Sequence, residues 1–174
     1  MSNNLAVVGC YYFPEAEELL SAIEEQINRK IALKGEYYLV DAINILLNRG
    51  LEMHIEKVDV WLDAGTPEAL LDTNRYLLEH GRENSQTITD LDNSVIIPPV
   101  FIHPSARVSS STIGPHVSIG ENSVIQRSAI KDTIVSAGTH ITNSILETSL
   151  LGHNVTINGL VGKLNLGDDS WAAR

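Results

Sequence analysis

Aliphatic residues recur at Ile102, Val108, Ile113, Ile119, Ile125, Ile130, Val135, Ile141, Leu146, Leu151 and Ile157. The ten intervals are all five or six residues, with a mean of 5.5. A helix would require apolar spacings of three and four, and one flat sheet would require sustained alternation. Short strands joined by tight corners fit instead, each marker pointing into a narrow core. Three intervals make a coil of 16.5 residues on average. Two residues before each marker stands a small or β-branched residue: Val100, Ala106, Ser111, Val117, Ser123, Ser128, Thr133, Thr139, Ser144, Ser149 and Val155. Gly follows the marker at Gly114, Gly120 and Gly152. The aromatic residues agree with this pattern. All five Tyr lie within the first 76 residues, and a thin triangular interior leaves little room for rings.

The chain of 174 residues is 43% hydrophobic and 20% charged, as expected of a folded globular protein. Its formal charge is −10. Residues 1–93 carry 17 acidic and 7 basic residues, whereas residues 94–174 carry 5 of each. That acidic first half argues against nucleic acid as a partner, because phosphate binding is dominated by Lys and Arg. The neutral second half has little long-range repulsion to oppose self-association. No apolar run approaches the roughly 18 residues that signal a membrane span, so no membrane partner is expected. Met1-Ser-Asn-Asn-Leu5 has neither the basic region nor the apolar core of a signal peptide, so a cytoplasmic location is expected. Cys10 is the single cysteine, and its apolar surroundings predict a small buried hydrophobe.

The first half reads as strands and helices. Leu5 to Val8 predicts a buried strand that breaks at Gly9. Pro14 opens a helix bearing Leu19, Leu20, Ile23 and Ile27, and a loop of Lys34-Gly35-Glu36-Tyr37-Tyr38 leads to a second. That second helix places Leu39, Ala42, Ile43, Leu46 and Leu47 on one face and stops at Gly50. Leu51, Met53 and Ile55 alternate as a strand, and Val58 and Val60 continue in the opposite phase. In Trp61-Leu-Asp-Ala-Gly-Thr-Pro-Glu68, Thr66 is an N-cap, Pro67 suits the first helical position and Glu68 suits the positive dipole end. The helix so started runs to Gly81. The polar, aperiodic stretch 82–93 reads as a linker, between an α/β portion over residues 1–81 and a solenoid over residues 94–174. Asp63, at a strand end just before a capped helix, is where a carboxylate meets a metal or ligand, or else caps the turn that follows.

Gly9-Cys-Tyr-Tyr-Phe13, Lys34-Gly-Glu-Tyr-Tyr-Leu-Val-Asp-Ala42, Trp61-Leu-Asp-Ala-Gly-Thr-Pro-Glu68 and the hexapeptide array together resemble a sugar-1-phosphate nucleotidyltransferase. The resemblance covers roughly residues 5–170 and is to the C-terminal portion of long-form glucose-1-phosphate thymidylyltransferases. It implies the C-terminal fragment of an α/β nucleotidyltransferase domain followed by a left-handed parallel β-helix. It also implies Mg²⁺-dependent joining of a nucleoside triphosphate to a sugar 1-phosphate, with dTTP and glucose 1-phosphate as the leading pair. Asp63 matches a family metal ligand. Lys34 matches a contact to the sugar phosphate that the family often makes with Arg, and Lys lacks the bidentate fork. Glu36 and Asp41 belong to the same substrate-binding motif and are expected near the sugar. A homo-oligomer through the β-helix is expected, trimers being common among left-handed hexapeptide helices.

The departures matter as much as the matches. The family's Gly-rich nucleotide-binding loop is absent, as are its first metal-binding Asp and its Glu-Lys-Pro stretch. No catalytic set is complete, and the chain is expected to be inactive alone. Two other readings compete. A hexapeptide acetyltransferase using acetyl-CoA would need a His base between coils. His103, His116, His140 and His153 fall at different offsets from their markers and form no row. A non-catalytic assembly module would need only the solenoid. Asp168-Asp169 reads as a solvated turn rather than a metal pair, since adjacent strand residues face opposite ways.

Overall fold

The computed structural model describes residues 7–88 and 92–174, which form two compact units, Met1–Trp61 and Leu62–Arg174. In the first, helix α1 (Ala16–Asn28) packs on α2 (Leu39–Asn48). Ala22, Ala42, Ile45 and Leu46 are buried between them, with Phe13, Leu19, Ile23, Ile31 and Leu51 around the rim. The small Ala pair lets the helices approach closely. Leu39 and Leu47, expected on the buried face, are exposed, and Ile45 is buried instead. Gln26 is 2% exposed, and its amide donates to the carbonyls of Tyr38 and Ile31, tying the connecting loop to α1.

The strands expected in this unit are not formed among its described residues. Leu5 lies outside them, while Val7 and Val8 are exposed and unpaired. Residues 51–60 form no strand, with Leu51 and Met53 half-buried and Ile55, Val58 and Val60 exposed. A strand needs a hydrogen-bonding neighbour, and no described segment supplies one here. Cys10 is also exposed, contrary to the buried role expected of it.

The second unit opens with the Asp63 turn and helix α3 (Pro67–Leu77), which widens into a π turn over Leu78–Arg82. Strands then follow in chain order: β1 (Val95–Ile96), β2 (Val100–Ile102), β3 (Arg107–Ser109), β4 (Thr112–Ile113), β5 (Val117–Ile119), β6 (Val124–Gln126) and β7 (Ala129–Val135). The last are β8 (His140–Thr142), β9 (Ile145–Leu151), β10 (Thr156–Asn158), β11 (Val161–Gly162), β12 (Asn165–Leu166) and β13 (Trp171–Ala173). All pair in parallel and build a three-faced solenoid of five coils. One face stacks β1, β4, β7, β9 and β11, and the next stacks β2, β5, β7, β9 and β12, because β7 and β9 each bend across a corner. The third stacks β3, β6, β8, β10 and β13. The register shortens along the axis, from Val100 opposite Val117 to Thr156 opposite Trp171.

Every marker residue is buried, from Ile102 to Ile157. The residues two positions earlier are buried too, apart from the half-buried Ala106, and the hydroxyls among them have a definite role. Ser128 Oγ donates to its own coil's Gln126 carbonyl at 2.8 Å and accepts the Ser144 amide of the next coil at 3.1 Å. The same relay joins Ser94 to Ser111, Ser111 to Ser128 and Ser144 to Leu160. Second and third columns run through Ser123, Thr139 and Val155, and through Thr133, Ser149 and Leu164. Corner amides that the strand ladders miss are thereby satisfied. Among the described residues no buried side-chain polar atom lacks a partner. Gly120 sits at a close approach of successive coils, and a Cβ there would lie 2.7 Å from the Ala137 amide nitrogen.

The stretch read as a linker contributes a cap. The Asn84 amide group donates to the Ile102 carbonyl at 2.8 Å and accepts the Ile102 N–H at 2.9 Å, closing the free edge of β2. No helix among the described residues is long and apolar enough to cross a membrane.

Candidate functional site

The motif residues of the first unit sit on one tight turn and the helix after it. Leu33 and Glu36 exchange both backbone hydrogen bonds at 3.0 Å, closing a two-residue turn whose central residues are Lys34 (φ 53°) and Gly35 (φ 86°). Positive φ at both positions is the requirement of a type I′ turn, and Gly35 meets it without strain. Lys34 is thereby carried, exposed, at the tip. The Tyr38 hydroxyl donates to Glu36 Oε2 at 2.7 Å, and this bond to a carboxylate raises the Tyr38 pKa. Asp41 lies in the first turn of α2, where the positive end of the dipole favours a carboxylate. An open, shallow hollow lined by Ile31, Ala32, Leu33, Tyr38, Val40 and Asp41 adjoins them.

Asp63 belongs to the second unit. Its Oδ1 accepts the amides of Ala64 at 2.8 Å and Gly65 at 3.1 Å, so this oxygen caps the turn as the simpler reading expects. Thr66 caps α3 by accepting the Ala69 amide at 3.1 Å, with Pro67 in the first turn. The Asp63 side chain is exposed, which leaves Oδ2 as one hard oxygen donor. Among the described residues no three His, Cys, Asp or Glu side chains converge. One carboxylate is not by itself a Mg²⁺ site, since that ion commonly takes one or two together with water and substrate phosphates, and Asp63 would supply one of them.

A polar seam carries α3 along the solenoid. Arg75 makes a bidentate pair with Asp132, Nε to Oδ1 at 2.6 Å and Nη2 to Oδ2 at 2.5 Å, and also bonds Asp72. Asp132 is 8% exposed and sits at a corner with φ 47°, an unusual place for a charge unless it is paired. The Ser118 hydroxyl donates to Asn74 Oδ1, the Asn74 amide donates to the His116 carbonyl, and His116 Nε2 lies 2.8 Å from Glu79. Lys163 reaches Glu68 at 3.4 Å. Nothing local in the sequence announces Arg75 or Asp132. The only signal is an acid in the middle of an apolar coil.

The Arg75 guanidinium holds the Asp132 carboxyl below its ordinary value of 3.8. A depressed folded-state pKa contributes stability above the unfolded value, and that contribution is lost as pH falls through the folded one. Acidification below about pH 4 is therefore expected to weaken α3 docking. Asp132→Asn is expected to cost about 1–2 kcal/mol at neutral pH, less than a fully buried pair because Arg75 keeps part of its surface in water. Urea unfolding of both proteins at neutral and acid pH checks this. A gap between wild type and variant that fails to narrow in acid would refute it.

The histidines do not line up as an acyltransferase base would require. His116 faces Glu79, His153 approaches Asp168 Oδ1, His103 bonds Ser105 and His140 is exposed. Asp168 accepts the His153 amide at 2.7 Å, which holds its pKa low, and Asp169 accepts from Asn154. Both acids are exposed on a turn, as the sequence implied, and the turn is bonded to the preceding coil.

Residues 96–163 match the family described as the GMPPB C-terminal domain, and the chain is related to the nucleotidyltransferases, as the sequence motifs implied. Among particular relatives, the glucose-1-phosphate thymidylyltransferase of Streptomyces griseus is 28% identical over 98% of this chain and 53% of its own. The low-salt glycan biosynthesis nucleotidyltransferase Agl11 of Haloferax volcanii is 32% identical over 94% of this chain and 48% of its own. The bifunctional protein GlmU of Caldanaerobacter subterraneus is 29% identical over 84% and 33%. The chain spans about half the length of the first two relatives.

Proposed function

We propose that this chain supplies the sugar-phosphate loop, one metal-binding carboxylate and the solenoid of a sugar-1-phosphate nucleotidyltransferase acting in the cytoplasm. The observation that carries the reading is similarity to nucleotidyltransferases over nearly the whole chain, with Lys34, Glu36 and Asp63 exposed on turns and Asp41 in the first turn of α2. The unpaired segment 51–60, with its alternating apolar residues, supports completion by a sheet-bearing nucleotide-binding half. Residues 1–81 are then the end of the catalytic domain, residues 82–93 the connection and residues 94–174 the solenoid.

In this reading Lys34 offers a mobile point charge to the sugar phosphate, while Glu36 and Asp41 accept from sugar hydroxyls. Glu36 is held in place by Tyr38, and the turn itself is closed by the Leu33–Glu36 pairing. Asp63 Oδ2 is the oxygen offered to Mg²⁺. That ion, when bound, neutralises phosphate charge during in-line transfer from dTTP to glucose 1-phosphate. Positioning of the two phosphates is the main contribution of the protein. Self-association through the solenoid fits the exposed Val95, Ile145 and Val161 on one face, with a trimer as the leading arrangement.

Pyrophosphate release from Mg²⁺, dTTP and glucose 1-phosphate is expected from an assembly that includes the nucleotide-binding half. None is expected from this chain alone. Release by the isolated chain, or its absence from the assembly across nucleotide and sugar panels, would reject the proposal.

A further inference from the structure

The Asp63 turn has almost no packing of its own, since residues 61–68 are all exposed. Its order comes from α3. The Thr73 hydroxyl reaches back to donate to the Asp63 carbonyl at 2.8 Å, and Thr66 ties the helix start to the Ala69 amide. Helix α3 is in turn fastened to successive coils. Glu79 and Asn74 engage the second coil at His116 and Ser118, Arg75 engages the third at Asp132, and Glu68 meets Lys163 of the last. Leu71 and Leu78, each 2% exposed, are buried along this helix and its extension. Backbone fixed at so many points cannot drift, whereas an exposed turn attached only to a free helix would sample many conformations.

We infer that the solenoid is the positioning element for the Asp63 turn, with Asp132 acting through Arg75 and with Thr73 as the last link. The inference rests on the proposed role of Asp63 for its catalytic meaning, but not for its physical content. The solenoid thereby does more than join copies of the chain. It sets where the metal-binding carboxylate stands, through bonds that span 57 residues of sequence between Arg75 and Asp132.

Backbone ¹⁵N order parameters on the intact chain provide the test, because they read the turn without any catalysis. The amides of Ala64 and Gly65 are expected near the rigid value of about 0.85 in the wild type and below about 0.6 in Thr73→Val and in Asp132→Asn. Thr73→Ser keeps the hydroxyl and is expected to restore the rigid value. The amides of Ile125 and Ile141 serve as the control for a folded solenoid. A turn already flexible in the wild type, or one equally rigid in both disruptive variants with the solenoid intact, would overturn the inference. Nucleotidyl transfer that persists despite a loosened turn would instead count against the role given to Asp63, leaving the mechanical coupling in place.

Discussion

In an assembly containing the nucleotide-binding half, Asp63→Asn is expected to lower Mg²⁺-dependent turnover by at least about 100-fold, the upper range seen when even outer groups of a metal site are removed. The substitution is chosen because it separates two roles. Asn keeps a side-chain oxygen that can accept the Ala64 and Gly65 amides, so the turn and the start of α3 should survive. What disappears is the negative charge and the hard donor at Oδ2. If Asp63 only caps its turn, the Asn enzyme will turn over like the parent. Steady-state pyrophosphate release across a Mg²⁺ titration distinguishes the outcomes, since loss of a metal ligand also shifts the metal dependence.

Ile125→Ala should be among the most damaging single truncations in the solenoid, costing about 3–4 kcal/mol within the range for buried Ile→Ala changes. Ile125 is fully buried and lies in register between Val108 and Ile141. Collapse around the cavity would require a coil to leave the ladder that holds it to both neighbours, so little relaxation is available. Urea unfolding should show a lower midpoint with an unchanged slope. A cost below about 1 kcal/mol would mean the coils close over the gap after all. Substitution of the exposed Thr156 should stay within about 0.5 kcal/mol and serves as the control.

The solenoid was readable because its determinants are local and repeated. Each marker from Ile102 to Ile157 meets the same environment, so period alone assigns it. The hydroxyl columns were half-visible: Ser and Thr before the markers read as small residues, but their link to the next coil depends on stacking register. Thr66 and Pro67 announced α3 through local capping chemistry. The docking of that helix could not be read, because Arg75 and Asp132 meet only once the coils are built. The unpaired 51–60 segment shows the opposite failure. Its alternation has the form of a strand, yet pairing depends on a partner that the described residues do not provide. The site behaved similarly. Lys34, Glu36 and Asp41 fall on one loop and helix start, while the function of Asp63 hangs on chemistry beyond this chain.

The hydroxyl relay sets where the array can lengthen. Each Ser or Thr of a column serves an amide of the coil after it, but the columns end at Val155, Leu160 and Leu164, which have no hydroxyl to offer a further coil. The opposite end is closed as well. A coil inserted before β1 would have to displace Asn84 from Ile102. Lengthening of this architecture by duplication should therefore proceed from the middle coils, where each hydroxyl finds an amide of the next, leaving both ends as they are.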